Sequence, residues 1–307
     1  MRKSSFAIVT IFLIMCASSA TAQVARVFLA GSGNDLNDCS DITTPCRSLQ
    51  GAVDQCPVKG EVIIIASGGF GTASITKSIT VDAAPGVLAF NARTITVTIG
   101  PTDIVTLRGL TMNGSIFGDS AGVVFIAGGT LNLENCDIGG FANYGVIQET
   151  AGNLNLKGCA IHDTDYGVYS SPASAGNAKL VFAKSSIRNT LLIGLLANAR
   201  TVASVTDSQF ANNGTAIEAF SIIAAAKGIV SVDNCTISGS NTTALAVFAT
   251  TNGIATIYVT NTSINSNNNT LTISTSTGGV ASVVSFGDNS VANNTTTTLF
   301  SSTVPTT

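Results

Sequence analysis

Between residues 105 and 264 one alternation of apolar and polar positions recurs seven times: VTLRGLTM, LNLENCDI, LNLKGCAI, LVFAKSSI, ASVTDSQF, VSVDNCTI and IYVTNTSI. The sixth positions are Leu110, Cys136, Cys159, Ser185, Ser208, Cys235 and Thr262, spaced by 26, 23, 26, 23, 27 and 27 residues. Each phrase sets two apolar residues two apart, then Gly, Asn, Lys or Asp, then two inward-type positions two apart. Period-2 alternation broken by a tight turn predicts two short strands meeting at a corner. A repeat of this length predicts a solenoid.

A third strand opens each unit (GVIQET, GVYSSP, IGLLANA, TAIEAFS, ALAVFAT, TLTIST). Three parallel strands per turn at the spacing of a β-ladder predict about nine coils from residue 62 to 292, a rod of roughly 40–45 Å. Stacking turns columns of sequence into ladders. Leu107, Leu133, Leu156, Phe182, Val205, Val232 and Val259 form one inward column. Met112, Ile138, Ile161, Ile187, Phe210, Ile237 and Ile264 form another. The corner column reads Gly109, Asn135, Gly158, Lys184, Asp207, Asn234 and Asn261, where Gly and Asn most easily take left-handed geometry. Asn234, Asn241 and Asn261 also stand in N-x-S/T sequons. Arg108, Glu134 and Lys157 are expected in a row outdoors, as a salt-bridge ladder.

Ahead of the strands, Leu49, Ala52, Val53 and Cys56 lie at i, i+3, i+4 and i+7, one face of a short helix stopped by Pro57 and Gly60. Such a helix is expected to cap the open edge and apolar end of the first coil. Arg2 and Lys3, the apolar stretch Phe6 to Cys16 and Ala20-Thr21-Ala22 read as a signal peptide. A lipoprotein reading would tether Cys16, with Met15 a poor residue before it. The expected organisation is a signal peptide over 1–22, a loop and capping helix over 23–60, a parallel β-helix over 61–294 and a Thr-rich tail over 295–307. No apolar run is long enough to cross a membrane as a helix, so the expected location is extracellular, periplasmic or at the cell surface.

A net charge of −3 with 10% charged residues leaves no basic footprint for nucleic acid. Trp is absent, so an aromatic sugar platform would have to use Tyr or Phe. Of the seven Cys, Cys39 and Cys46 have the spacing for a short disulfide loop, with Cys56 near enough to compete. Cys136, Cys159 and Cys235 share one repeat position and read as buried thiols. No zinc set is expected from them with a single His in the chain.

The stretch SLQGAVDQCPVKGEVIIIASGGFGTASITKSITVDAAPG resembles the opening of right-handed parallel β-helix proteins of the pectin-lyase-like superfamily, and the later units with their Asn corner are similar to the same group. More closely, the chain resembles uncharacterised bacterial secreted β-helix proteins, including VSFGDNSVANNT near its end. The resemblance covers roughly residues 26 to 297. It implies an all-β, right-handed parallel β-helix, and implies activity only weakly, since function resides in a site.

In enzymes of that superfamily the outward side of one strand stack carries the carboxylates, Ca²⁺ ligands and bases. The counterpart expected here reads Val124, Ile147, Tyr169, Leu196, Glu218, Ala246, Thr272 and Ile126, Glu149, Ser171, Asn198, Phe220, Phe248, Ser274. This face is mostly apolar. Glu149 and Glu218 fall about three coils apart, near 14 Å, too far to flank one glycosidic bond. The catalytic candidate is HDTDYG, where Asp163 and Asp165 flank His162 and Arg188 stacks one coil on. Its Asp-Thr-Asp-Tyr-Gly resembles an Asn-Thr-Asp-Gly element of polygalacturonases, while that family's Asp pair, Gly-His-Gly and Arg-x-Lys are missing. The bland alternative is a solvated turn.

Two functions are therefore weighed. One is a secreted, non-catalytic β-helix, without cofactor, that binds a polysaccharide, a cell surface or a protein through Ile147, Tyr169, Leu196, Phe220 and Phe248. The other is a polysaccharide lyase or glycoside hydrolase acting near His162.

Overall fold

The computed structural model describes residues 25–173 and 176–304; the segment read from the sequence as a signal peptide lies outside them. The described residues form an all-β parallel solenoid of about eight turns with one short helix. Three sheets of 12, 10 and 9 strands run along it. A typical turn contributes one strand to the first sheet, a shorter one of two to four residues to the second, and one to the third, as in Thr130–Glu134, Asp137–Gly139 and Tyr144–Gln148.

The register is the one the repeat predicts. Leu133 pairs with Leu107 and Leu156, and Ile138 with Met112 and Ile161. Both inward columns are buried along their length. Removing such side chains from water at about 1.5–3 kcal/mol each is the main stabilising contribution, because no single coil can cover its own interior.

Both corners around the second sheet depend on left-handed backbone. In the first corner Gly109, Asn135, Gly158, Lys184, Asp207, Asn234 and Asn261 all have φ between 46° and 70°. Asn261 donates to Asn234 (3.2 Å) and Asn234 to Asp207 (2.6 Å), tying successive coils. The next residues indoors form a second ladder. The Ser185 hydroxyl accepts from the Cys159 amide (3.0 Å) and donates to the Ala183 carbonyl (2.8 Å). Ser208 and Thr262 do the same for Ser185 and Cys235. Leu110, Cys136 and the rest of this column are buried, as expected. The second corner, unrecognised in the sequence, repeats at Gly140, Asp163, Asn189, Asn212, Gly239, Ser266 and Asn293, again at positive φ.

The helix Leu49–Gln55 is capped by the Ser48 hydroxyl, which accepts from the Gly51 amide (3.0 Å). It buries Leu49, Ala52 and Val53 against Arg26–Leu29 and Ala73–Ile75. The helix covers the apolar end, but a strand covers the edge. Arg26–Leu29 pairs in parallel with Glu61–Ile64 as the outermost strand of the first sheet. Its own free side is met by backbone hydrogen bonds from Phe28 to Cys39 and from Cys46 to Phe28 (both 2.8 Å). A disulfide joins Cys39 to Cys46 and closes that loop, while Cys56 is a free, buried thiol. At the other end Ser302–Thr303, in the Thr-rich segment, pairs with Val284–Ser285 of the first sheet.

Candidate functional site

The third sheet departs from simple alternation where each strand begins. A side chain at Gly145 would run into Ile161 Cγ2 (2.5 Å), and one at Gly167 into Ile187 Cγ2 (2.8 Å), so these glycines face the core. The following Val146 and Val168 are also fully buried. Two consecutive inward positions bend the strand, and the residue before them turns outward. At Gly145 and Gly167 that residue is tyrosine.

The consequence is an aromatic cluster. Tyr144, Tyr166 and Tyr169 meet on the outer face of two adjacent strands with ring centroids 5.2–5.4 Å apart. Tyr144 and Tyr166 pair in register, as do Ile147 and Tyr169. Desolvation, together with the neighbouring Tyr169 hydroxyl, pushes the Tyr144 and Tyr166 phenols above their ordinary range, so they stay neutral. Two coils beyond Tyr169, Phe220 pairs with Phe248 in register, with centroids 6.5 Å apart. All five rings are partly exposed. This is a semi-rigid platform of stacked and edge-on rings, apolar in body and carrying hydroxyls.

Two residues expected to belong to the contact strip do not. Ile147 and Leu196 occupy the outward column, but are only 9% and 6% exposed. Each is flanked in register on both adjacent coils and bordered on one side by Tyr169, Ile147 between Val124 and Tyr169 and Leu196 between Tyr169 and Glu218. They support the platform from below. Tyr144 and Tyr166 take their place at the surface.

Glu218 shares this outward column, between Leu196 and Ala246, and is 9% exposed. Burial in this apolar setting raises its carboxyl from 4.5 to about 7. A carboxylic acid held near neutrality can donate or accept a proton. Its partner for glycosidic cleavage would be a second carboxyl 5–9.5 Å away, roughly one or two coils. Along this column the residues one and two coils to either side are Tyr169, Leu196, Ala246 and Thr272.

The HDTDYG segment resolves into the second corner. Asp163 is one of the left-handed residues (φ 54°) and Thr164 is buried in the turn. His162 Nδ1 lies 2.7 Å from Asp163 Oδ2 and Nε2 lies 2.9 Å from Asp137 Oδ1. The ring lies over Gly139, where a side chain would collide with it (2.3 Å). Both ring nitrogens are therefore taken by carboxylates, leaving neither for a substrate. Burial would raise the Asp163 carboxyl, but hydrogen bonds from His162 and Asn189 outweigh that and hold it below the usual range. Asp137, absent from the sequence expectation, belongs to this cluster. Asp165 does not, because its backbone starts the next strand, accepting from Leu192 and Ile193 (2.9 and 3.1 Å). Arg188 pairs with His162 in register and is exposed. The cluster sits on the second sheet, whereas the tyrosines sit on the third.

On the first sheet Arg108, Glu134 and Lys157 stand in register in the expected outward row, but the ion pairs run from Arg108 to Glu134 and Asp82. Arg108 bridges Glu134 (2.8 Å) and Asp82 (3.3 Å), and Lys157 stands exposed beyond them. Cys136, Cys159 and Cys235 are buried free thiols, and burial lifts Cys235 to about 11. Among the described residues no group of His, Cys, Asp and Glu is arranged to hold a metal ion, and no helix is long and apolar enough to cross a membrane.

No family model matches the chain, and no curated protein matches its sequence. Solved structures do match. A crystal structure of pectate lyase Pel9A is similar over 90% of this chain and 79% of its own, with a TM-score of 0.50 and 14% identity. A GH136 lacto-N-biosidase from Eubacterium ramulus is similar over 91% of this chain and 67% of its own, with a TM-score of 0.56 and 10% identity. At such identities the likeness speaks to fold alone. The chain has the fold of the pectin-lyase-like parallel β-helix proteins.

Proposed function

We propose that the protein is secreted and that the outer face of its third sheet binds a carbohydrate chain without cleaving it. The observation that carries this reading is the cluster of Tyr144, Tyr166 and Tyr169, prolonged along the same face by Phe220 and Phe248. Ring faces stack on the apolar faces of sugars, and phenol hydroxyls at the rim meet sugar hydroxyls. The coil spacing of about 4.8 Å is comparable with the length of one hexose unit, so successive coils can address successive sugars. Parallel strands hold the rings in place before the ligand arrives, so little ordering cost falls on the protein side. The fold likeness to a pectate lyase and a lacto-N-biosidase supports a carbohydrate-related role at the level of architecture. The signal-like segment over residues 1–22 supports export.

Glu218 favours a second reading, a lyase or hydrolase using this carboxyl as its proton donor. The two are separated by screening the mature protein on a glycan array and in parallel for depolymerisation, with and without Ca²⁺. The binding proposal expects retention of a glycan whose chain length stays unchanged. Chain shortening by the wild type that is lost in Glu218→Gln would establish the enzyme instead.

A further inference from the structure

We infer that this face selects uncharged glycans and rejects polyuronates, an inference that rests on the binding proposal above and names its ligand class. Its basis is the sign of the charges on the face. In the outward columns running from Val124 to Ser274 the ionisable side chains are Glu149 and Glu218, both acidic, and of these Glu149 reaches the surface while Glu218 is buried. Asp165 adds a second surface carboxylate at the rim, close enough to Tyr144 and Tyr166 to act on their hydroxyls. None of these columns contains Lys or Arg. The cations of the same coils lie elsewhere: Lys157, Lys179 and Lys227 are on the first sheet, Lys184 is at the corner that follows it and Arg188 is on the second. Arg200 follows the strand Ile193–Ala197 in the turn towards the first sheet.

A polyuronate brings one carboxylate per sugar. Recognising that repeat calls for guanidinium or ammonium groups, which form charge-assisted and often bidentate hydrogen bonds. Here each uronate would instead approach acidic side chains over an apolar surface that weakens screening, an arrangement that excludes the wrong ligand. Beside its rings and these acids, the face offers neutral hydrogen-bonding groups. Asn198 donates to the Ser171 hydroxyl (3.1 Å) on the adjacent coil, and Thr272 and Ser274 follow further along. Hydroxyls and amides of this kind match the hydroxyls and acetamides of neutral sugars.

The test titrates the mature protein with hexasaccharides of three neutral polymers (glucan, xylan and N-acetylglucosamine) and with hexagalacturonate, by calorimetry at low salt. At least one neutral probe should bind, with hexagalacturonate weaker by about tenfold or more. Glu149→Gln combined with Asp165→Asn should narrow that ratio. Hexagalacturonate binding as tightly as the best neutral probe, or a ratio unmoved in the double variant, overturns the selectivity while leaving the binding face in place. Binding of none of the probes by a folded protein overturns the proposal beneath it as well.

Discussion

Replacing Glu218 by Gln should stabilise the solenoid at pH 8 and leave it nearly unchanged at pH 4. Glu218 is packed between Leu196 and Ala246 of the adjacent coils and beside Phe220 of its own strand. The titratable group that senses it is Tyr166, whose raised phenol remains neutral throughout this range. Desolvation is the cause of the carboxyl's rise from 4.5 to about 7. Below pH 4.5 the carboxyl is protonated in both the folded and the unfolded chain and costs nothing extra. Between 4.5 and 7 the unfolded chain releases the proton while the folded chain retains it, so stability falls as pH rises. Above about 7 the full penalty is present, about 3 kcal/mol for a shift of this size. Gln keeps the shape and cannot ionise, so its stability should lack that fall. The assay is urea unfolding followed by far-ultraviolet circular dichroism at pH 4, 6 and 8 for both proteins. The reasoning is refuted if the difference between variant and wild type is the same at pH 4 and pH 8.

Three other substitutions probe the frame around the site. Gly145→Ala should cost about 1–3 kcal/mol, because the new methyl meets Ile161 and the Gly167 carbonyl; an unchanged unfolding midpoint would mean that this residue does not face inward. Ser185→Ala should cost about 1–3 kcal/mol by leaving the buried Cys159 amide without its acceptor. Ser185→Asn, which can still offer an oxygen, should cost less in the same denaturation experiment if hydrogen bonding is the cause, and equal losses would point to packing. His162→Ala removes contacts to Asp137 and Asp163 on the second sheet and should leave glycan binding unaltered. Loss of binding in that variant, measured by the same titration, would move the site to the second sheet.

The solenoid was legible in the chain because its physics repeats. A buried Leu or Ile at fixed spacing, and a Gly or Asn wherever the backbone turns left-handed, recur often enough to place the inward columns from Leu107 to Val259 and the corner from Gly109 to Asn261. The outward register of Arg108 against Glu134 followed from the same alternation. The outward positions of Tyr169, Phe220 and Phe248 followed too, but Tyr144 and Tyr166 were hidden by a failure of that alternation. Counting back by twos from Val146 puts Gly145 outdoors and Tyr144 indoors, whereas the bend at the start of the strand places Gly145 and Val146 both inside and returns Tyr144 to the surface. A column of Gly122, Gly145, Gly167 and Gly194 followed by Ala216 and Ala244 was the available signal, since only small residues fit beneath the adjoining sheet. HDTDYG attracted attention by its composition. Its Asp163 is explained by backbone geometry, shared with Asn189, Asn212 and Asn293 at the same corner. The first strand, Arg26–Leu29, escaped notice because four residues between a signal-like segment and a loop carry no period, and only its pairing with Glu61–Ile64 identifies it.

Intrinsic tyrosine emission tests the central claim most directly, because the chain has no Trp and three of its four Tyr lie in the cluster. Titrating the mature protein with the best-retained glycan should give a saturable change in emission. That change should persist in Tyr258→Phe, which removes the tyrosine on the first sheet. Calorimetry on the double variant Tyr166→Ala, Tyr169→Ala should show binding weakened by about tenfold or more. A glycan that binds with tyrosine emission unchanged, and with equal affinity for the double variant, would contradict the assignment of the third sheet as the binding face.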